Sequence, residues 1–414
     1  MSNSLLIRNA FIATPQGRKA LKGEAMGRLY TEKDAALLII DGTISYVGPE
    51  KGLRQLPEGC TTIDAEGKAV LPGFVDSHTH LIFGGYRPDE FEWRMKGDSY
   101  MSIMERGGGI QSTVDATRKA SVDELARKAR WFIDRMSAMG VTTVEAKSGY
   151  GLDKESELRM LHAIKKLIDD PQTPLEIVPT FLGAHAVPRE YAGRTAEYVD
   201  LIIREMLPAV KGLAKFCDIF TEKNVFEIED SRRLLKAARN AGFELKLHAD
   251  EIVTLGGAEL AAELGAASAD HLLHISDAGI KALAQADTVA TLLPLTAFSL
   301  REPYAPGRKL IDSGAAVALA TDLNPGSCFS GSIPLTIALA CIYMNMSVEE
   351  TITALTLNGA AACGLADSTG SLEPGKAGDV VILHFDNYRM LPYYAGMNCV
   401  ETVISKGRIV ARNN

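Results

Sequence analysis

The middle of the chain repeats one unit eight times. A short apolar run gives way to a stretch with helical spacing, and then the next apolar run begins. The runs are AVLPGFVDSHTH, VTTVEAKSGY, LEIVPTFLGAH, AKFCDIFTE, FELKLHADE, SADHLLHI, DTVATLLPL and AAVALATDLN. Between them, KESELRMLHAIKKLIDD sets Leu158, Leu161, Ile164 and Ile168 along one stripe, SRRLLKAARNAG closes on Gly242 as a helix C-cap, and GGAELAAELG is rich in Ala and Leu. Eight β-then-α units over about 290 residues are the arithmetic of a closed parallel barrel. Near-continuous apolar strands fit a sheet buried on both faces. A doubly wound open sheet would show a glycine fingerprint after its first strand, and HTHLIFGG is not one.

The two ends of the chain read differently. LLIRNAFIAT, AALLIIDGTISYVGP and TTIDAEGKAVLPG alternate apolar runs with turn signals, as do GKAGDVVILHFD and VETVISKGRIVARN. The expected architecture is therefore α/β: a TIM-like (β/α)8 barrel over residues 71–365, with a small β-sandwich built jointly by residues 1–70 and 366–414.

In such a barrel, chemistry sits at the C-terminal ends of the strands. The first strand ends in His78 and His80, and the i, i+2 spacing of a strand points both side chains the same way. The second ends at Lys147, Ser148 and Tyr150, the third at His185, the fifth at His248, the sixth at His271 and the eighth at Asp322. The fourth and seventh, ending in Thr221–Glu222 and Pro294–Thr296, say less. Five of the eight histidines thus fall at strand ends on one rim, a convergence that points to a metal.

Composition narrows the class. The 414 residues carry a net charge of −8 with acids and bases interspersed, which excludes a basic nucleic-acid surface. The six cysteines have no C-x-x-C or framework spacing and fit a reducing compartment. No run approaches the roughly 18 apolar residues of a membrane span, and MSNSLLIRNAFIATPQG lacks the layout of a signal peptide. A soluble cytoplasmic protein acting on a small molecule is the expectation.

His-x-His on the first strand, His on the fifth and sixth and Asp on the eighth resemble the amidohydrolase superfamily. The resemblance implies one divalent cation, zinc or iron, held by His78, His80, His248 and Asp322, with His271 beside the attacking water. Three imidazoles and a carboxylate suit either metal and leave a position for water, whose pKa such a cation lowers from about 15.7 to about 7. Asp322 would accept the proton and His271 would orient the nucleophile or stabilise an oxyanion. Binuclear relatives add a carboxylated lysine from the fourth strand. Lys223 lies near that place, and a solvated loop lysine with a single metal is the favoured reading.

GGYRPDEFEWRMKGDSYMSIMERGGGIQST, KSGYGLD, TFLGAHAVP, HADE and TDLNPGS together are similar to the superfamily members that hydrolyse 4-imidazolone-5-propanoate to N-formimidoyl-L-glutamate in histidine degradation. That likeness runs from about residue 70 to 365 and implies Arg87, Tyr150, His185, Glu251, Asn324, Gly326 and Ser327 as substrate contacts. Arg87 would take the carboxylate tail, and Glu251 would bind the ring first and shuttle a proton second. A homodimer is the common assembly of the superfamily. HADE equally fits a cytosine- or guanine-type deaminase, and a non-catalytic scaffold would be expected to lack the metal histidines. His162 reads as structural, His274 as structural or as a support behind the metal ligands, His384 carries no role, and Cys328 lacks a base partner for nucleophilic work. The glycines of Arg106–Gly109 suit a turn or a loop closing over substrate.

Overall fold

The structure, a computed structural model, describes residues 4–98, 106 and 108–413. Among the described residues sixteen strands form two sheets. The N-terminal strands are β1 (Ser4–Thr14), β2 (Tyr30–Ile40), β3 (Thr43–Pro49), β4 (Thr61–Asp64) and β5 (Ala69–Pro72). The central ones are β6 (Phe74–Asp76), β7 (Val141–Lys147), β8 (Glu176–Ala184), β9 (Phe216–Thr221), β10 (Glu244–Ala249), β11 (Ser268–His271), β12 (Val289–Leu292) and β13 (Val317–Leu319). The last three are β14 (Val380–Leu383), β15 (Val400–Ser405) and β16 (Arg408–Arg412).

The first sheet runs β16-β15-β14-β5-β1-β2-β3, with β4 beside β1, so the two chain ends share one unit. Leu5, Ile7, Ile12, Leu37, Ile39, Val70, Val380, Ile382 and Ile404 fill its core. The second sheet runs β6 to β13 in sequence order with every pairing parallel. It closes just past the strand ends. Asp322 N donates to His78 O at 3.0 Å, and His80 N to Leu323 O at 2.9 Å. Below these, Thr321 donates from N and Oγ1 to the two carboxylate oxygens of the buried Asp76, at 3.0 and 2.6 Å. This is the expected (β/α)8 barrel beside a sheet unit.

Two expectations need correction. The first run, AVLPGFVDSHTH, is not one barrel strand. Its start, β5, pairs with β1 and β14 in the terminal sheet, and only β6 enters the barrel. The change of sheet comes at Gly73, so the boundary expected after residue 70 falls inside β5. A Cβ on Gly73 would meet Thr142 Oγ1 at 2.1 Å, and only glycine lets the chain pass there. Second, on helix Lys154–Asp169 the buried stripe is Glu157, Met160, Leu161, Ile164 and Leu167, while Ile168 is 45% exposed. Leu161 and Ile164 of the expected stripe are buried and Leu158 packs against the core; only Ile168 is misplaced, with Leu167 taking the buried position.

The barrel interior is not the usual stack of branched apolar side chains. Glu145, Lys147, Asp218, Lys246 and Asp270 are all fully buried. Each alternates along its strand with an apolar residue that packs outward, as in Glu145-Ala146-Lys147 and Lys246-Leu247-His248. The charged layer lies directly beneath the histidines.

Candidate active site

His78 and His80 follow β6 in an extended segment bonded on both sides. Residues 78 and 80 bond toward the end of β13, and Thr79 O accepts from Lys147 N at 3.1 Å. That alternation, which the sequence expects of a strand, sends both imidazoles toward the barrel axis. His78 Nε2 stands 3.3 Å from His80 Nε2, which in turn stands 3.2 Å from His248 Nε2. Asp322 Oδ1 is 3.5 Å from Nε2 of both His78 and His80.

The tautomers give these contacts their meaning. His78 Nδ1 donates to Asp270 Oδ2 at 2.6 Å, and His248 Nδ1 stands 3.1 Å from Asp218 Oδ2. Their Nε2 atoms are left as lone pairs facing other donors. Burial holds His78, His80 and His271 well below the usual histidine range, so those three rings are neutral, while against its burial the Asp218 carboxylate raises His248. Asp322 Oδ1 is buried with no hydrogen-bond partner among the described residues. Lone pairs and a carboxylate oxygen packed this closely repel unless a cation sits among them. Four donors about 2.0–2.1 Å from a tetrahedral centre stand about 3.3 Å apart, which matches the spacings here. The residues fit a divalent ion.

The other side chains converge on the same place. Asp322 and His271 adopt left-handed backbone, at φ 56° and 79°, a strain that concentrates at functional sites. Thr296 Oγ1 donates to Asp322 Oδ2 at 2.6 Å, so the end of the seventh strand does contribute. Burial pushes the Asp322 carboxyl up to about 6. Neither ring nitrogen of His271 has a hydrogen-bond partner among the described residues, and Nε2 lies 3.5 Å from Glu251 Oε2. Burial, then the Asp322 charge, pushes Glu251 up to about 8. His185 Nδ1 is 3.0 Å from Gly149 O, and its ring stacks on His80 at 4.8 Å.

A cavity of about 580 Å³ opens above these groups. Arg87, Tyr150, His185, Glu251, Asn324, Gly326 and Ser327 all line it, together with His80, His248, His271 and Asp322. Two refinements emerge. Asn324 spends its amide on its own loop: Oδ1 accepts from Gly326 N and Ser327 N at 2.8 and 2.7 Å, and Nδ2 donates to Asp322 O at 2.8 Å. Gly326 lies so close to Arg87 that a Cβ would meet Nη2 at 1.7 Å. Lys223 is exposed and outside the cluster, as are His162 and, in the terminal sheet, His384 beside Glu401. Cys328 is buried, its Sγ 3.2 Å from Thr321 O, and burial pushes the thiol up. Of the glycine-rich stretch, Gly109 lines the cavity and donates to Glu90 at 2.9 Å; residues 99–105 and 107 lie outside the described residues.

Several residues escaped the sequence reading. Arg94 lines the cavity and donates to Gly326 O at 2.6 Å; it sits near the end of helix Pro88–Met95, whose N-cap is Arg87. Asp250 caps helix Gly257–Glu263 through four backbone amides, while His248 and Glu251 of the same HADE stretch line the cavity. Glu157, buried on its helix, accepts from the amides of Gly149, Gly151 and Leu152 at 2.8–3.0 Å and so shapes the loop that presents Tyr150. Glu157→Ala leaves three buried donors unpaired and should cost about 3 kcal/mol or more, read by urea unfolding. A loss under about 1 kcal/mol would mean the loop holds itself.

A parallel barrel with imidazoles and a carboxylate gathered at its C-terminal rim defines a metal-dependent hydrolytic enzyme. The model of the Amidohydrolase family matches residues 69–410. The chain is 63% identical to the imidazolonepropionase of Phocaeicola vulgatus and 61% identical to that of Bacteroides thetaiotaomicron, each alignment covering 100% of both chains. A solved structure of 5-methylcytosine deaminase from Klebsiella pneumoniae shares the fold, with a TM-score of 0.74 at 18% identity over 99% of this chain and 98% of that one. The chain belongs to the amidohydrolase family and, within it, to the imidazolonepropionases.

Proposed function

We propose that the chain hydrolyses 4-imidazolone-5-propanoate to N-formimidoyl-L-glutamate, a ring-opening step of histidine degradation. The observation that carries this is a donor set spaced for a cation at the floor of a cavity whose wall holds Arg87. The full-length identity to imidazolonepropionases supports it.

His78, His80, His248 and Asp322 would hold one divalent ion, zinc or ferrous iron. When bound, that ion makes a water nucleophilic near neutral pH and polarises the ring carbonyl. The chain's residues do the rest. Arg87 takes the propanoate by charge-assisted hydrogen bonds, with Arg94 tying the Gly326 loop beside it. Tyr150 and His185 fix the ring, which turns attack into a near-intramolecular step. Asp322 accepts the proton from water as the C–O bond forms and delivers it to the ring nitrogen as the C–N bond breaks. His271, whose ring nitrogens make no hydrogen bond among the described residues, donates to the developing oxyanion. Glu251 binds the ring nitrogens and serves second as proton shuttle. Asn324 works through the loop, presenting the backbone of Gly326 and Ser327 to the product.

The barrel is the catalytic unit and the sheet of both termini supports it. No helix among the described residues is long and apolar enough to cross a membrane. We assign the enzyme to the cytoplasm as a homodimer. The apolar helix Ile333–Tyr343, with Ile342 and Tyr343 60% and 57% exposed, supports a partner copy. No nucleic acid is expected.

Imidazolonepropanoate, cytosine and guanine offered to one preparation decide the substrate: ring opening of the first alone supports the reading, and release of ammonia from either base with no ring opening overturns it. Stripping the metal with a chelator should abolish turnover, and stoichiometric zinc or ferrous iron should restore it. Full activity in metal-free protein would remove the mechanism.

A further inference from the structure

The ligand residues are linked through one buried lysine. Lys147 Nζ lies 2.8 Å from Asp218 Oδ2, the same oxygen that faces His248 Nδ1. It lies 4.0 Å from Asp270 Oδ2, the same oxygen that accepts from His78 Nδ1. Its third partner is Glu145 Oε1 at 2.7 Å, and the other oxygen of Glu145 faces Thr79 N at 3.3 Å, between His78 and His80. Thr79 Oγ1 donates to Glu145 O at 2.6 Å, and Thr180 Oγ1 to Glu145 Oε1 at 2.5 Å. Lys147, Glu145, Asp218 and Asp270 are all fully buried. The other lysine of this layer, Lys246, is held by the carbonyls of Ser77 and Ala362 and stands 4.0 Å from the same Asp270 oxygen, as far as Lys147 does.

We propose that Lys147 is a positioning residue for the metal centre: its ammonium fixes Asp218, the carboxylate that orients His248, and, through Glu145, the segment that carries His78 and His80, while sharing with Lys246 the longer approach to Asp270 behind His78. The inference rests on the metal-ligand reading above. Buried ion pairs add little net stability, because desolvation offsets their attraction. A layer of this kind inside a barrel that apolar residues could fill is therefore better explained by the site it aims. Partners that orient a ligand are worth about 10–100-fold in metal affinity when removed.

The test uses Lys147→Met, and Lys147→Met with Glu145→Gln, which removes one charge of each sign and spares the fold an unpaired carboxylate. Each is stripped and titrated with zinc against a chromophoric chelator, then loaded with cobalt for its visible spectrum. Both variants should keep cooperative unfolding, bind zinc about 10–100-fold more weakly and show an altered cobalt band. A merely structural lysine would change the melting temperature and leave the cobalt band alone. Zinc affinity within about twofold of the unmodified protein in either folded variant overturns the proposal. Failure of both to fold overturns it as well, since the lysine then serves the fold. His248→Ala separates the premise: unchanged zinc binding there removes the ligand assignment itself.

Discussion

Asp322→Asn should lower kcat by about 10³–10⁴-fold, the upper range for removing a general base, in a protein that still folds. Three features make the substitution clean. Asp322 sits at φ 56°, a left-handed conformation that asparagine tolerates better than most residues. Asparagine keeps the shape of the carboxylate, and its nitrogen can face the Thr296 hydroxyl that now donates to Oδ2. Its carbonyl can still point at His78 and His80, where Oδ1 lies 3.5 Å from each Nε2. What it cannot do is accept a proton. The measurement is kcat at saturating substrate with metal content determined on the same sample. Turnover within about tenfold of the unmodified enzyme at full metal occupancy would take the proton transfer away from Asp322.

Arg87→Ala should leave kcat nearly unchanged while kcat/KM for the propanoate substrate falls by about 10–100-fold. That corresponds to the roughly 1.5–3 kcal/mol of a hydrogen bond to a charged group. Arg87 is only 10% exposed, its Nε is buried without a partner among the described residues, and its contact with Glu90 is a long 3.4 Å. The guanidinium is held in the cavity without being consumed there. Glu90 keeps the Gly109 amide and the Ser112 hydroxyl after the substitution, so local collapse is not expected. An imidazolone lacking the tail supplies the second axis. The unmodified enzyme should turn it over poorly, and the variant should no longer distinguish the two substrates. Equal discrimination by both proteins would place the carboxylate elsewhere, with Arg94 the nearest alternative cation on the same wall.

The buried lysine shows how far sequence reading reaches. Lys147 was legible as a strand end, because the run VTTVEAK stops where KSGYGLD begins. Its work was not, because its partners Asp218 and Asp270 lie 71 and 123 residues away and look like single charges inside apolar runs. Period-two alternation in a strand buried on both faces assigns two sides without saying which lines the barrel interior. Arg94 and Glu157 were hidden for a related reason. Each sits on a helix whose polar residues usually face solvent, and each instead turns inward, Arg94 toward a loop of another unit of the barrel and Glu157 back onto the loop that precedes its own helix.

The sequence by itself determined the eightfold β/α rhythm, the terminal sheet shared by both ends and the residue types at the rim, because strand and helix periodicities are local and metal chemistry admits few side chains. Tertiary structure alone decided where β5 hands over to β6, how Asp76 and Thr321 close the ring and which carboxylate stands behind which imidazole. Those outcomes depend on contacts across the barrel, between groups whose separation along the chain carries no information about their separation in space.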